Sequence, residues 1–135
     1  MLKLVAQYAD WHNAVITPLH EYRRKMEEID ANCEAIGRDP TSVGRSLNPS
    51  LLLRDTDDEF DRYAADRAAK RDISFDEYLD MLGGQGTIFG GPDRATEMLQ
   101  QFVDAGCTYF EFILREADQE VSLHRLAELV LPKFR

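Results

Sequence analysis

The sequence is short of the features that would staple, anchor or divide it. Cysteine occurs only twice, at Cys33 and Cys107, each inside an apolar-periodic segment with no second ligand beside it. No CxxC or HExxH pattern occurs, so a disulfide framework or zinc site lacks its signature and no metal is expected. Two buried free thiols in a reducing cytoplasm are the expectation. Long apolar runs are missing too, and none approaches the roughly 20 residues that cross a bilayer. The opening MLKLVAQYADWHN has one lysine, no apolar centre and no small-residue cleavage site, so a secretory signal is not expected there. Positive charge is scarce, with 16 Lys and Arg against 25 Asp and Glu, for a formal net charge of −9. So acidic a surface repels nucleic-acid phosphate and anionic lipid, and neither is an expected partner. No repeat, low-complexity tract or linker rich in Pro, Gly or Ser interrupts the chain, which reads as a single domain over residues 1–135.

What is present is an alternation of helical and extended patterns. Leu2, Val5, Ala6 and Ala9 share a helical face. The segment Asp10-Trp11-His12-Asn13 breaks it, and Val15-Ile16 reads as a strand stub. The clearest helix spans Pro18 to Ile36, where Tyr22, Met26, Ile29, Cys33 and Ile36 form one apolar stripe. Thr17 is placed to cap it, and Gly37 to stop it. Val43–Leu53 is the next strand, with an edge or bulge expected at Pro49, which has no N–H to donate. Asp55-Thr56-Asp57-Asp58, largely acidic, opens a helix carrying Phe60, Tyr63, Ala64 and Ala68. A shorter helix runs from Phe75 to Leu82 behind Ser74, and Gly83–Gly86 reads as a loop. Ile88-Phe89 is a short buried strand. Gly90-Gly91-Pro92-Asp93 starts a helix with Ala95, Met98, Leu99, Phe102 and Val103 on its apolar face. CTYFEFIL, residues 107–114, reads as a strand buried on both faces, and a last helix from Gln119 to Val130 is expected to stop at Pro132. Strands alternating with helices imply an α/β fold with a mostly parallel sheet.

Four features in order resemble one family. They are LVAQYADWHN with the helix EYRRKMEEIDANCEAIGRDP, the strand RSLNPSLLL, the run FGGPDRATEMLQQFVDAGCTYFEFIL, and the closing LHRLAELVLPKFR. This arrangement is similar to the last part of luciferase-like monooxygenases, barrel proteins that use FMN or the deazaflavin F420. The Gly-x-Pro-acidic turn is Gly90-Gly91-Pro92-Asp93, the Ala-Gly turn is Ala105-Gly106, and the closing Leu-Pro pair is Leu131-Pro132. The family often has Thr or Ser where Gly91 stands. The resemblance implies a partial (β/α)8 TIM-type barrel, its C-terminal half, with parallel strands and covering helices. A full barrel takes about 250 residues and eight strands, and the strands that supply most flavin contacts and the usual catalytic side chains precede this segment in the family. A Gly-rich phosphate-binding turn normally lies just upstream of LKLVAQYAD. A shortened natural protein and a fragment are both consistent with that.

The candidate ligand-facing residues follow from placement. Trp11, His12 and Asn13 fall where the family has its Ala-Asp-x-Trp-Asn pattern, in shifted register; the plainer reading is a tryptophan anchoring a helix end. Arg115 and Glu116 follow the last strand, and barrel strands point their C-terminal ends at the active site; a surface turn is the plainer alternative. Glu111 is a possible buried acid, with pairing to a neighbouring arginine preferred. The Gly83–Gly86 loop matches no nucleotide motif. Gly90-Gly91 ahead of a helix offers N–H groups to an anion, although Asp93 already supplies negative charge there. No catalytic residue is assignable.

The resemblance implies an oxidoreductase using FMN or F420, with O2 for a monooxygenase, acting on a small organic substrate. With early strands lacking, this chain alone is expected to be incomplete for catalysis, and it could bind no cofactor unaided. The alternative is a non-catalytic association module. Either way exposed sheet edges and an open apolar face imply a homo-oligomer or a partner subunit.

Overall fold

A computed structural model describes residues 1–134; Arg135, the end of the closing motif and of the expected domain, lies outside the described residues. The elements are α1 (Leu2–Tyr8), β1 (Trp11–Val15), α2 (Leu19–Ala35), β2 (Gly44–Asn48), β3 (Ser50–Leu53), α3 (Asp57–Ala69), α4 (Phe75–Gly84), β4 (Thr87–Gly90), α5 (Pro92–Asp104), β5 (Tyr109–Phe110), β6 (Ile113–Leu114) and α6 (Gln119–Arg125). The strands pair in parallel: β1 with β2, β2 with β5, β3 with β4, and β3 with β6. Since β2 and β3 are halves of one run, they form a central strand. Its even-numbered residues bond one way, with the Gly44 N–H donating to Asp10, the Asn48 carbonyl accepting from Ile16, and the Arg54 N–H donating to Gly90. The carbonyls of Arg45, Leu47 and Pro49 accept from Thr108, Glu111 and Ile113 on the other side. Thus β1 and then β4 lie end to end along one flank, and β5–β6 along the other. The relay occurs at Ile16 and Gly86, whose φ values are 45° and 60°. A Cβ on Gly86 would sit 2.5 Å from the Ile16 carbonyl carbon, so only glycine lets the two strands meet there.

Alternation along each strand sorts side chains onto two faces. Ala14, Leu47, Leu51, Leu53 and Ile88 point outward and are buried with Tyr22, Met26, Ile29 and Cys33 of α2, Leu99 and Phe102 of α5, and Leu126 and Val130 near the end of the chain. Leu52 and Phe89 point inward against Phe60, Ala64 and Ala68 of α3 and Tyr78 and Leu82 of α4. Phe60 stacks on Phe89 with ring centroids 5.3 Å apart. The α3–α4 pair therefore covers the C-terminal half of the inner face and leaves the N-terminal half open.

Several boundaries differ from the sequence reading. The strand stub is the five-residue β1, which takes in Trp11, His12 and Asn13 because they alternate exposed, buried, exposed. Thr17 does not cap α2; its hydroxyl donates to the Val15 carbonyl at 3.0 Å, and Pro18 holds the cap position. Of the edge or bulge expected at Pro49, the edge is not found: the residue is fully buried in the central strand, which is interrupted there between β2 and β3 where a donor is missing. Gly83 and Gly84 belong to α4 rather than a loop. Residues 107–114 form two short strand pieces, not one strand buried on both faces, because they have a neighbour on one flank only and Tyr109 is 53% exposed. The last regular helix ends at Arg125, followed by a wide turn over Leu126–Val130 and a tight 3-10 turn, Leu131–Phe134, that contains Pro132. An ion pair from Lys133 to Asp93 ties that turn to α5.

Candidate ligand cleft

A cleft of about 820 Å³ opens where β3 and β6 end. Its floor is the inner side of β3, with Ser50 and Leu52. The α3–α4 pair supplies one wall through Tyr63, Arg67, Arg71 and Gln85, and Arg115, Glu116 and Ala117 supply the other. Arg54 stands between them. Its Nη1 donates to the Glu116 carboxylate at 2.6 Å and to the Leu53 carbonyl at 2.6 Å, and its guanidinium lies 4.1 Å from the centroid of the Tyr63 ring. The Ser122 hydroxyl donates to the other Glu116 oxygen at 2.8 Å. Arg67 lies 5.1 Å from the Tyr63 centroid, and the Tyr63 hydroxyl beside it raises its pKa further. Burial, and then the neighbouring Tyr63, push the Tyr78 hydroxyl up.

This helix builds its share of the cleft by spacing. Phe60, Ala64 and Ala68 face the sheet, while Tyr63 and Arg67 follow four apart along the adjacent stripe and Arg71 comes in the turn just after the helix ends. Thr56 caps the start of α3, its hydroxyl accepting the Glu59 N–H at 3.1 Å. The Asp57 carboxylate accepts the Gly91 N–H at 2.6 Å, which locks α3 against the β4–α5 junction. That contact fills the anion position considered at Gly90-Gly91 with a carboxylate of the chain itself. The glycines after Met81 likewise do not cradle phosphate: they end α4, and a helix C-terminus carries the negative end of the dipole.

The five residues singled out in the sequence fall into two places. Arg115 and Glu116 line the cleft, Arg115 exposed and Glu116 occupied by Arg54 and Ser122. Trp11 and Asn13 lie on the open half of the inner face. The Trp11 indole covers Gly44, where a Cβ would come within 2.4 Å of the ring, and meets Tyr109 edge-on at 6.2 Å. Asn13 Oδ1 accepts the Ser46 hydroxyl at 3.1 Å. His12 faces the other way, buried towards α2, and its Nε2 has no partner; burial, and secondarily Lys25, lower its pKa. Glu111 is exposed and makes no ion pair among the described residues, contrary to both readings of it as buried or arginine-paired. Arg45, the arginine in reach of that strand, pairs instead with Asp30. Arg54, Arg67 and Arg71 escaped the sequence reading, which placed Tyr63 only on the face of its helix, although the Tyr-x3-Arg-x3-Arg spacing was a usable signal.

Cys33 and Cys107 are buried and unpaired, and burial pushes the Cys107 thiol up, so neither is a ready nucleophile. Among the described residues no group of His, Cys, Asp and Glu could hold a metal ion, and no helix is long and apolar enough to cross a membrane.

No family model and no curated protein matches the chain. Solved structures do. The coenzyme F420 dependent tetrahydromethanopterin reductase from Methanopyrus kandleri matches with a TM-score of 0.74 at 15% identity, over 100% of this chain and 48% of its own. An F420-dependent secondary alcohol dehydrogenase, in complex with an F420-acetone adduct, matches at 0.70 and 13%, over 99% and 46%. The oxygenating constituent of 3,6-diketocamphane monooxygenase from Pseudomonas putida, in complex with FMN, matches at 0.64 and 18%, over 98% and 45%. The chain spans less than half the length of these proteins. Its fold is that of part of a barrel, with parallel strands and covering helices as in these structures and, among the described residues, no closed barrel.

Proposed function

We propose that this chain is part of a luciferase-like, flavin- or F420-dependent oxidoreductase whose site is completed by strands beyond those described, from a second copy or a partner subunit. The open inner face carries this reading. Trp11, Val15 and Tyr109 are each more than half exposed on a sheet whose other face is a closed core. The cleft lies at the C-terminal ends of parallel strands, where barrel enzymes bind their ligands, and its volume suits a cofactor or small substrate.

Of the residues present, Asn48, one residue along from the outward Leu47 and at the end of β2, has a buried Oδ1 with no hydrogen-bond partner, while the exposed aromatic surface of Trp11 and Tyr109 lies at the opposite, N-terminal ends of β1 and β5. The Asn48 oxygen suits a ring N–H donor. A bound cofactor supplies the hydride or, with O2, the oxygen chemistry. The chain's own part is to meet the ring at Asn48, to exclude water from it, and to place positive charge at the mouth.

Trp11 is the only tryptophan, so its emission reports this face. Titrating FMN and F420 into the protein is expected to quench Trp11 saturably, and Asn48→Ala is expected to weaken binding by about tenfold. Unchanged emission through millimolar cofactor contradicts the oxidoreductase reading. It would favour the non-catalytic association module, a reading that draws its own support from the cleft's one lining carboxylate, Glu116, being tied up by Arg54 and Ser122.

A further inference from the structure

Large apolar side chains are left in solvent at two places in this chain and almost nowhere between. Met1, Leu4, Tyr8, Trp11 and Val15 are exposed on α1 and β1. Tyr109, Val121, Leu123, Leu131 and Phe134 are exposed on β5 and the elements after it. Across residues 16–108 only Ile36 and Val103 join them among the described residues. Frayed chain ends do not account for this, because Trp11, Val15 and Tyr109 sit in paired strands. The outer layer is ordered α1, α2, α5 and the Leu126–Val130 turn, each packing on the next, so the two groups lie at its opposite ends. The sheet beneath has the same order, with β1 and β5 as the outer strands on either side of β2. Neither outer strand is guarded. Sheet edges are ordinarily protected by charge, proline or a covering element. β1 reads Trp-His-Asn-Ala-Val and β5 Tyr-Phe, with neither a lysine, an acid nor a proline in them. Asp10 and Ile16 exchange hydrogen bonds with the central strand, so the Asn13 N–H and carbonyl point away from it; the Phe112 N–H does likewise, between the inward donors Glu111 and Ile113. β4, which continues the β1 flank, is buried throughout and offers no such edge.

We propose that two copies of this chain close on one another about a two-fold axis along the strands, β1 of each pairing in parallel with β5 of the other. Each copy has one edge of each kind, so two equivalent contacts use up both edges of both copies and the assembly stops at two. All strands stay parallel, and the two open inner faces turn towards each other. Charge permits the contact. A net charge of −9 makes copies repel in general, but residues 1–16 hold only one lysine and one aspartate, and residues 105–114 only one glutamate. The area is sufficient: the ten exposed side chains offer on the order of 1,000 Å² per copy, against the about 800 Å² per partner of a standard interface. This assignment deepens, and rests on, the reading that strands of another chain complete the site, by naming a second copy as the partner and the edges that join.

The test is backbone amide exchange on the whole chain, read by mass spectrometry alongside light scattering, from submicromolar to tens of micromolar protein. The mass is expected to double and then hold, with exchange slowing both in the peptide around Asn13 and in the peptide around Phe112. Val15→Lys and Tyr109→Asp are each expected to weaken pairing by about tenfold. Their equal mixture is expected to recover it, because one contact then sets Lys against Asp and the other is unaltered. Ile36→Lys, exposed at the end of α2, is expected to change nothing. The wild-type exchange decides the matter even if a variant misfolds. A mass that stays at one chain, a mass that grows past two, or slowing at one edge alone overturns the assignment. So does a Tyr109→Asp variant that pairs normally while Val15→Lys does not, since copies would then meet through like β1 edges. No cofactor enters this test: a dimer whose Trp11 emission ignores FMN and F420 contradicts the oxidoreductase reading alone, and a flavin-binding single chain contradicts this assignment alone.

Discussion

The two faces of the sheet were built to different degrees of completion. On the outer face Ala14, Leu47, Leu51, Leu53 and Ile88 are all buried beneath helices. On the inner face α3 and α4 cover only Leu52 and Phe89, while Trp11, Val15 and Tyr109 stand in solvent. A fold can therefore be held together from one side. The outer core supplies the stability, and the inner face is free to be used for something other than holding the chain folded. Exposed aromatic surface on both sides of Gly44 is costly to keep unless something covers it.

That contrast is open to mutation, beginning with the face that carries the stability. Leu47→Ala, at the centre of the outer core, is expected to cost about 3 kcal/mol in urea unfolding; a loss below about 1 kcal/mol would make the outer face no tighter than the inner one. Gly91→Ala comes next. Its Cβ would lie 2.2 Å from the Asp57 nitrogen, a backbone atom that has nowhere to go. It is expected to cost about 2 kcal/mol and to loosen α3 from the inner face, seen as faster amide exchange in α3 than in α2. His12 sharpens the comparison through pH. Its folded-state pKa is lowered by burial and by Lys25, so the unfolded chain binds the proton more tightly. The stability held by neutral His12 is present above its ordinary pKa of about 6.5 and is lost as pH falls through the lowered value. His12→Gln is expected to flatten the fall in stability between about pH 7 and about pH 5; an unchanged slope would mean that residue 12 faces water. The smallest effect is expected at the inner face, where Trp11→Ser changes the stability of the single chain by no more than about 0.5 kcal/mol.

The outer face was the part legible in the sequence. The stripe from Tyr22 to Cys33 and the Ala95–Phe102 face follow helical spacing, and each is buried where that spacing puts it, as is the Phe60–Ala68 face that α3 turns to the inner side of the sheet. Gly37, at φ 71°, and Gly106, at φ 92°, end their helices as glycine should. The inner face was harder to read because it breaks the hydrophobic pattern. Trp11-His12-Asn13 reads as a helix end until the strand pairing to Gly44–Ser46 gives it a period of two. CTYFEFIL reads as fully buried because composition carries no record of a missing neighbour strand. Arg67 and Arg71 were hidden by their resemblance to ordinary wet surface at a helix end; Arg115, forty-four residues beyond Arg71, lines the same cleft.

We propose as the central claim that the inner face, left open in the single chain, is covered by a second copy of it. Iodide quenching of Trp11, measured alongside light scattering from nanomolar to micromolar protein, tests it most directly. The expected result is a fully accessible Trp11 in the dilute single chain, with accessibility falling as the mass doubles. A mass that stays at one chain through the micromolar range, with Trp11 as accessible at the end as at the start, would contradict it.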